Sequence, residues 1–267
     1  NPFYYRFGGN CGAFLLSKKT MISVLIIAKD EEDVIEECIK SVKDLADEIV
    51  VIDDSTDGTA QIAEKLGAKI IRSGFKNFSD QRNVALEHAK NDWVFYIDAD
   101  EIATPEFIKG VKEKIKVSPE NIAGFFVRRK TFYFGKDWNF TDKVERLFRK
   151  SKLLGWKGIV HETPSIDGEV GIINEPILHY THRNLSQMLE KTNKWSEYEA
   201  KLRFDANHPK MNLLRFIRVF ATGFLKSYFK EKGYKNGTAG IIEAIYQSYS
   251  MFITYAKLWE MQRKTPH

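Results

Sequence analysis

Cysteine is nearly absent from this chain, with Cys11 and Cys38 the only two in 267 residues. Two cysteines cannot build the disulfide framework of a small secreted fold, so the composition points to a reducing compartment. Proline is sparse, at seven residues, and no low-complexity tract interrupts the chain. Long apolar runs are missing too: none approaches the ~20 residues of a membrane span. The basic-then-apolar layout of a secretory leader is not expected at this N-terminus. Two phosphate-binding signatures are also lacking. No G-x-G-x-x-G follows the first strand-like run and no G-x-x-x-x-G-K-[ST] occurs anywhere, which argues against a standard dinucleotide fold or a P-loop NTPase.

What is present is ordinary for a folded protein, 43% hydrophobic and 29% charged. The length allows one large domain, or a catalytic domain with a helical appendage. The net charge of +5 is mild and matters only where it clusters. Residues 1–20 differ in character from the rest of the chain, being rich in aromatic residues and glycine and ending in Ser17-Lys18-Lys19-Thr20. Met21 reads as a natural start because a clean strand begins at once; the preceding residues read as an appended segment or an added strand.

From Met21 to about Phe134 strands and helices alternate. Ile22–Ala28 is a nearly continuous apolar run, as expected of a strand covered on both faces. Val34, Ile35, Cys38, Ile39, Val42 and Leu45 repeat at helical spacing, and Glu48–Ile52 is a second strand. Thr56–Leu66 reads as a helix closed by Gly67. Lys69–Arg72 is a third strand, Asp80–Lys90 a helix and Trp93–Ile97 a fourth strand. Thr104-Pro105-Glu106 starts another helix, with cap, N1 proline and early acid, and Gly124–Arg128 is a further strand. Strands separated by helices predict an α/β fold of right-handed βαβ units on a parallel sheet.

Ligands of such sheets sit beyond the carboxyl ends of the strands, and acids cluster there. Strand one ends in Lys29-Asp30-Glu31-Glu32, strand two in Asp53-Asp54-Ser55 and strand four in Asp98-Ala99-Asp100-Glu101. Carboxylates two apart at a strand end project in nearly the same direction, a geometry suited to a hard divalent cation that also holds phosphate oxygens. Three acidic clusters on one rim repel each other unless a cation or hydrogen-bonding partner intervenes. Helix capping is the plainer account of single acids such as Asp57 or Glu31. An acidic rim reaches a diphosphate only through a metal bridge, which points to a nucleoside diphosphate substrate with Mg²⁺ or Mn²⁺.

The segments SVLIIAKDEE, VVIDDSTDGT, SDQRNVALEHA and YIDADE resemble the family 2 glycosyltransferases of GT-A fold. Downstream, RLFRK, WKGIVHE and LHYTHRN resemble the lipopolysaccharide-core β-1,4-glucosyltransferase-like branch. The resemblance runs from Met21 to about Trp259. It implies a GT-A (Rossmann-like) mostly parallel sheet flanked by helices over residues 21–183, followed by a basic amphipathic helical region over 184–267.

On individual residues, the resemblance implies that Asp54 accepts a hydrogen bond from a uracil ring. It places Ala28, Asp30 and Glu32 along the base and ribose, and Arg82 beside the nucleotide and diphosphate. Asp98 and Asp100 match the metal-binding D-x-D, with Asp98 also near the ribose. A transferred sugar needs an acceptor hydroxyl deprotonated by a positioned carboxylate and stabilisation of the departing diphosphate. Glu162, in Trp156-Lys157-Gly158-Ile159-Val160-His161-Glu162, is the expected base, with Glu145 as rival; His161 orients the base, binds substrate or is purely structural. His179, after Pro176–Leu178, completes the metal shell or is a buried structural histidine.

Beyond Asn184 the chain becomes helical. Leu185–Asn207 is charged, Lys210–Lys232 basic and amphipathic, and Gly240–Glu260 rich in Tyr, Ile and Phe. Leu213, Phe216, Ile217, Phe220, Phe224 and Tyr228 form an apolar stripe, with Arg215, Arg218 and Lys226 on another face. The stripe packs on the sheet domain, or contacts an anionic membrane surface in plane. No nucleic-acid motif accompanies these charges. The expectation is an inverting, metal-dependent hexosyltransferase. It would move glucose from UDP-glucose to a lipid-linked lipopolysaccharide inner-core sugar, at the cytoplasmic, inner face of the bacterial inner membrane. The alternatives are a UDP-sugar transferase for another polysaccharide or glycolipid, and a degenerate membrane-bound scaffold. A sugar nucleotidyltransferase would need a glycine-rich basic triphosphate loop, which is missing.

Overall fold

Alternate side chains of β1 (Ile22–Ala28) enter two different cores. In the computed structural model, which describes residues 20–158 and 162–264, Ile22, Val24, Ile26 and Ala28 pack against Ile35, Cys38, Ile39 and Val42 of α1 (Ile35–Val42). Leu25 faces the other way, with Val50 and Ile52 of β2 (Glu48–Asp53) and Ala85 of α3 (Phe78–His88). A strand covered on both faces has no polar side to alternate with, hence its unbroken apolar run. Residues 1–19 and His161 lie outside the described residues, so the expectations placed on them have no structural counterpart.

The helix α2 (Thr59–Lys65) leads to β3 (Lys69–Arg72), and β4 (Trp93–Asp98) follows α3. The short β5 (Glu101–Ala103) precedes α4 (Pro105–Lys116), whose N-cap Thr104 accepts a hydrogen bond from the Phe107 N–H at 3.1 Å. Then come β6 (Ile122–Tyr133), β7 (Lys136–Arg149), β8 (Leu153–Lys157), β9 (Thr163–Ile166) and β10 (Glu169–Thr181). The large sheet has the order β3-β2-β1-β4-β7-β6-β10-β5, and β8 with β9 forms a separate ribbon.

The fold is α/β with a mostly parallel sheet flanked by helices. Pairs β2·β3, β1·β2, β1·β4 and β6·β10 are parallel, whereas β7 runs antiparallel to both neighbours and β5 antiparallel to β10. The parallel run read from the first half of the chain is β3-β2-β1-β4, and beyond β4 the antiparallel β7 makes the sheet mixed. Residues Phe134 and Gly135, both at positive φ (51° and 71°), make the tight turn of a β6–β7 hairpin, the backbone that two-residue hairpin loops require. At Gly124 the strands come so close that a Cβ would lie 2.6 Å from the Leu147 carbonyl oxygen.

Three helices complete the chain: α5 (Leu185–Asp205), α6 (Leu213–Leu225) and α7 (Gly237–Lys264). Asn184 and Asn212 cap α5 and α6, accepting from the Gln187 and Arg215 N–H groups at 2.9 and 3.0 Å. Ala200, Met211, Val219 and Leu258 form their common core. Phe216 packs against it, but Leu213, Leu214 and Ile217 are 73%, 77% and 57% exposed. Packing between helices thus absorbs only part of the stripe read from the sequence. No described helix is long and apolar enough to cross a membrane.

Candidate active site

The loops after β1 and β2 are laced together by their own acids. Asp30 sits at φ 54°, its N–H donates to Ser55 Oγ at 2.8 Å, and its Oδ1 accepts from the Thr56 N–H at 2.8 Å. Glu32 Oε2 accepts from the Gly58 N–H at 2.8 Å. These two carboxylates therefore shape the loops beside Ala28, the buried last residue of β1. Asp54 pairs with Lys29, and that hydrogen bond holds its carboxyl below the usual range, helped by the Phe75 backbone N–H. Phe75 meets Phe78 edge-on at 5.3 Å, and Phe78 stacks on Trp195 of α5 at 5.0 Å.

Asp98 ends β4, and Asp100 lies beyond it in the turn to β5. The alternation of a strand stops at Asp98, so the two carboxylates have different partners. Asp98 accepts from both terminal nitrogens of Arg146, one at 3.2 Å, and from Arg82 Nη2 at 3.3 Å. Burial would raise its pKa, yet Arg146 and Arg82 hold it far below the ordinary value. Arg146 also reaches Glu101 at 3.5 Å, and Glu101 accepts from Arg129 at 3.4 Å. Arg129 in turn donates to Asp142 at 2.6 Å. Glu101 is fully buried, and this burial raises its pKa despite the arginines.

Glu162 joins the other end of this chain of charges. Arg82 Nε donates to Glu162 Oε1 at 3.1 Å, and the guanidinium lies over the Trp156 ring at 4.9 Å. The order is Glu162, Arg82, Asp98, Arg146, Glu101, Arg129, Asp142, with signs alternating throughout. The rival Glu145 stands outside it on β7, opposite Phe126, with its pKa raised by burial.

Asp100 pairs instead with His179, whose Nε2 lies 3.3 Å from Oδ2. β10 positions this histidine in register with Glu101 of β5 and Thr131 of β6. Burial lowers the His179 pKa, but Asp100 and Glu101 outweigh it and raise it overall. Asp100 moves down for the reciprocal reason, against its own burial. A carboxylate oxygen and an imidazole nitrogen at this separation are a donor pair that fits a divalent cation. The oxygens of Asp98 are engaged by guanidinium groups, and no group of three His, Cys, Asp or Glu residues among the described residues has a metal-holding arrangement.

The rim therefore neutralises much of its own charge. Asp54 has Lys29, Asp98 has two arginines, and Glu31 has Arg183 at 2.5 Å and Lys191 at 3.1 Å. The mutual repulsion inferred from the sequence is met by cations of the protein, most of them distant in the chain. The sequence reading gave Arg146 and Arg129 no role, and took Glu101 only as one acid of the cluster that ends strand four. Phe125 pairs with Leu147 and Phe126 with Glu145, so Arg146 is the extra residue of a β-bulge, a device that re-aims a side chain. A basic residue beside the buried Leu147-Phe148 pair was the available signal.

The Glycosyl transferase family 2 model matches residues 23–166, which include Asp54, Arg82, the D-x-D and Glu162. The chain belongs to this family. The resemblance drawn from its motifs and the α/β GT-A fold that it implies both hold, and the protein is a glycosyltransferase. An uncharacterized glycosyltransferase of Rickettsia typhi is 30% identical over 91% of this chain and 88% of its own. The lipopolysaccharide core biosynthesis glycosyltransferase LpsC of Rhizobium meliloti is 27% identical over 91% of this chain and 93% of its own. Among solved structures, glucosyl-3-phosphoglycerate synthase from Mycobacterium tuberculosis, in complex with Mn²⁺, UDP and glucosyl-3-phosphoglycerate, is 27% identical. The match covers 49% of this chain and 50% of that one at a TM-score of 0.36.

Proposed function

We propose that this family 2 glycosyltransferase moves a hexose, glucose from UDP-glucose, to a lipid-linked sugar of the lipopolysaccharide inner core, with inversion at the anomeric carbon. The observation that carries the reading is the Arg82 bridge, which ties Glu162 to Asp98 of the D-x-D. It puts a carboxylate of the right kind next to the residues expected to hold the donor. The similarity to LpsC across most of both chains supports the lipopolysaccharide-core assignment.

In this proposal Asp54 accepts from the uracil ring, Ala28 and the Asp30 and Glu32 loops line the base and ribose, and Arg82 faces the diphosphate. Asp100 and His179 would hold Mg²⁺ or Mn²⁺, with Asp98 alongside; bound there, the cation supplies Lewis-acid stabilisation of the leaving diphosphate. Glu162 takes the proton of the acceptor hydroxyl as that oxygen bonds to the anomeric carbon. The bond from that carbon to the diphosphate oxygen breaks in the same displacement, its electron pair leaving with the nucleotide, so the configuration inverts. Arg82 holds Glu162 in orientation until the acceptor arrives.

The exposed Leu213, Leu214 and Ile217 of α6, with exposed Arg218, Lys226 and Lys230 nearby in sequence, support in-plane contact with an anionic membrane on the cytoplasmic side, where a lipid-linked acceptor is presented. A thermal-shift panel of nucleotide sugars with and without Mn²⁺ tests the donor assignment. UDP-glucose should raise the melting temperature most, and more so with Mn²⁺. A panel without any UDP-sugar response overturns it.

A further inference from the structure

A cavity of about 320 Å³ opens between the end of β10 and helices α5 and α7, with Asp100 on its wall. Its volume lies at the lower end of small-molecule sites. Asp100 aside, its lining belongs to residues 181–250, beyond the 23–166 stretch that the family model matches. LpsC, by contrast, aligns with 91% of this chain. A stretch common to the family serves the common donor chemistry, and the part outside it is where acceptor choice belongs.

The lining has the chemistry of a sugar site. Trp195 offers an indole, held by its stack on Phe78, of the kind on which the C–H face of a pyranose lies. Gln187, Gln247 and Ser250 offer amide and hydroxyl groups for ring hydroxyls. The frame is rigid: His182, at φ 50°, stacks on Tyr133 at 4.6 Å and pairs through Nδ1 with buried Glu243 at 2.9 Å, and the Thr192 and Tyr246 hydroxyls share a 2.6 Å hydrogen bond. Two cations also line it, Arg183 and Lys191, and both close on one carboxylate, Glu31, whose side chain is 11% exposed. A neutral saccharide has no use for two cations beside Asp100.

Resting on the glycosyltransferase reading above, we infer that this cavity is the acceptor site and that it takes a sugar bearing a phosphate or carboxylate. That anion replaces Glu31 on Arg183 and Lys191. Glu31 occupies the cations when the acceptor is away, and exchanging one oxyanion for another keeps them from standing unpaired.

The experiment measures binding of glucose 6-phosphate, glucuronate and glucose to the full chain by saturation-transfer NMR, with UDP titrated separately by calorimetry. The charged sugars should bind at least tenfold tighter than glucose, and the two of them distinguish phosphate from carboxylate recognition. The Arg183→Gln, Lys191→Gln double variant should lose that preference and keep its UDP affinity within about twofold. Glu31→Gln should tighten the charged sugars by threefold or more, a gain that a purely structural ion pair cannot give, and it decides the matter should the double variant fail to fold. Equal binding of all three sugars, or binding of none, overturns the inference. So does a double variant that loses UDP while keeping the sugar preference, since the cations then serve the donor diphosphate. Wild-type protein that binds charged sugars but no UDP would instead overturn the donor assignment and leave the cavity standing.

Discussion

Arg82 and Glu162, 80 residues apart in the chain, share a hydrogen bond of 3.1 Å from Nε to Oε1. The same guanidinium reaches Asp98, and its side chain is 5% exposed. Replacement by Met leaves Glu162 without its cation and Asp98 with Arg146 alone. Breaking a buried pair of this kind costs about 3–5 kcal/mol, visible in urea unfolding. Misplacing the base lowers kcat by about a hundredfold. Arg82→Lys keeps the charge but not the two-armed geometry and should recover part of the stability and little of the rate.

Glu162→Gln should cut transfer by about 10²–10⁴-fold while UDP binding survives, since the amide fills the same space. Retained turnover would move the base to Glu145.

Glu145 has its own pH signature. Burial raises its pKa in the folded protein, so protonation favours the fold. The stabilising contribution is fully present below the unfolded value, about 4.3, and is lost as pH rises through the raised folded value. Glu145→Gln should therefore raise the melting temperature at pH 8 and change it little at pH 4. A gain of equal size at both pH values would sink this account.

Asp100→Asn removes one member of the Asp100–His179 pair, and His179→Ala the other. Either change should weaken Mn²⁺-dependent UDP binding by about tenfold or more, while the affinity for UDP measured in chelator stays level. Unchanged Mn²⁺ dependence in both variants would remove the pair from metal binding. Asp98→Asn should act differently, destabilising the fold as well, because Arg146 and Arg82 then each lose one of their two carboxylates.

Membrane contact is testable on α6. Leu214→Glu with Ile217→Glu alters residues that are 77% and 57% exposed, so the melting temperature should stay within a degree or two while sedimentation with anionic vesicles at low salt falls severalfold. Equal sedimentation of the double variant and wild type would rule this face out.

Much of the fold was legible because local chemistry and tertiary role agree. β1 and β3 fall on the residues read from their apolar runs, and Thr104-Pro105 starts α4 as a cap and N1 proline should. Thr56 was read as the start of a helix that begins at Thr59, because its backbone N–H goes to Asp30 instead. β7 was invisible: Arg146 is paired with acids from β4 and β5, and Asp137 and Asp142 with Lys130 and Arg129 of β6, which no local pattern reveals. The acids of the rim were found as strand ends. Their partners were not, since Arg82, Arg146, Arg183 and Lys191 arrive from four different elements or loops.

β10 lies inside the sheet, between β6 and β5, although it is formed by residues 169–181. β5, which carries Glu101, pairs with no other strand. During synthesis, then, the edge of the D-x-D turn has nothing to zip onto until some eighty further residues have been made. A protein cut at the end of the family match would expose the flank of β6 as an open, sticky edge. The D-x-D turn thus gains its strand neighbour, and Asp100 its partner His179, only from the segment that leads into α5.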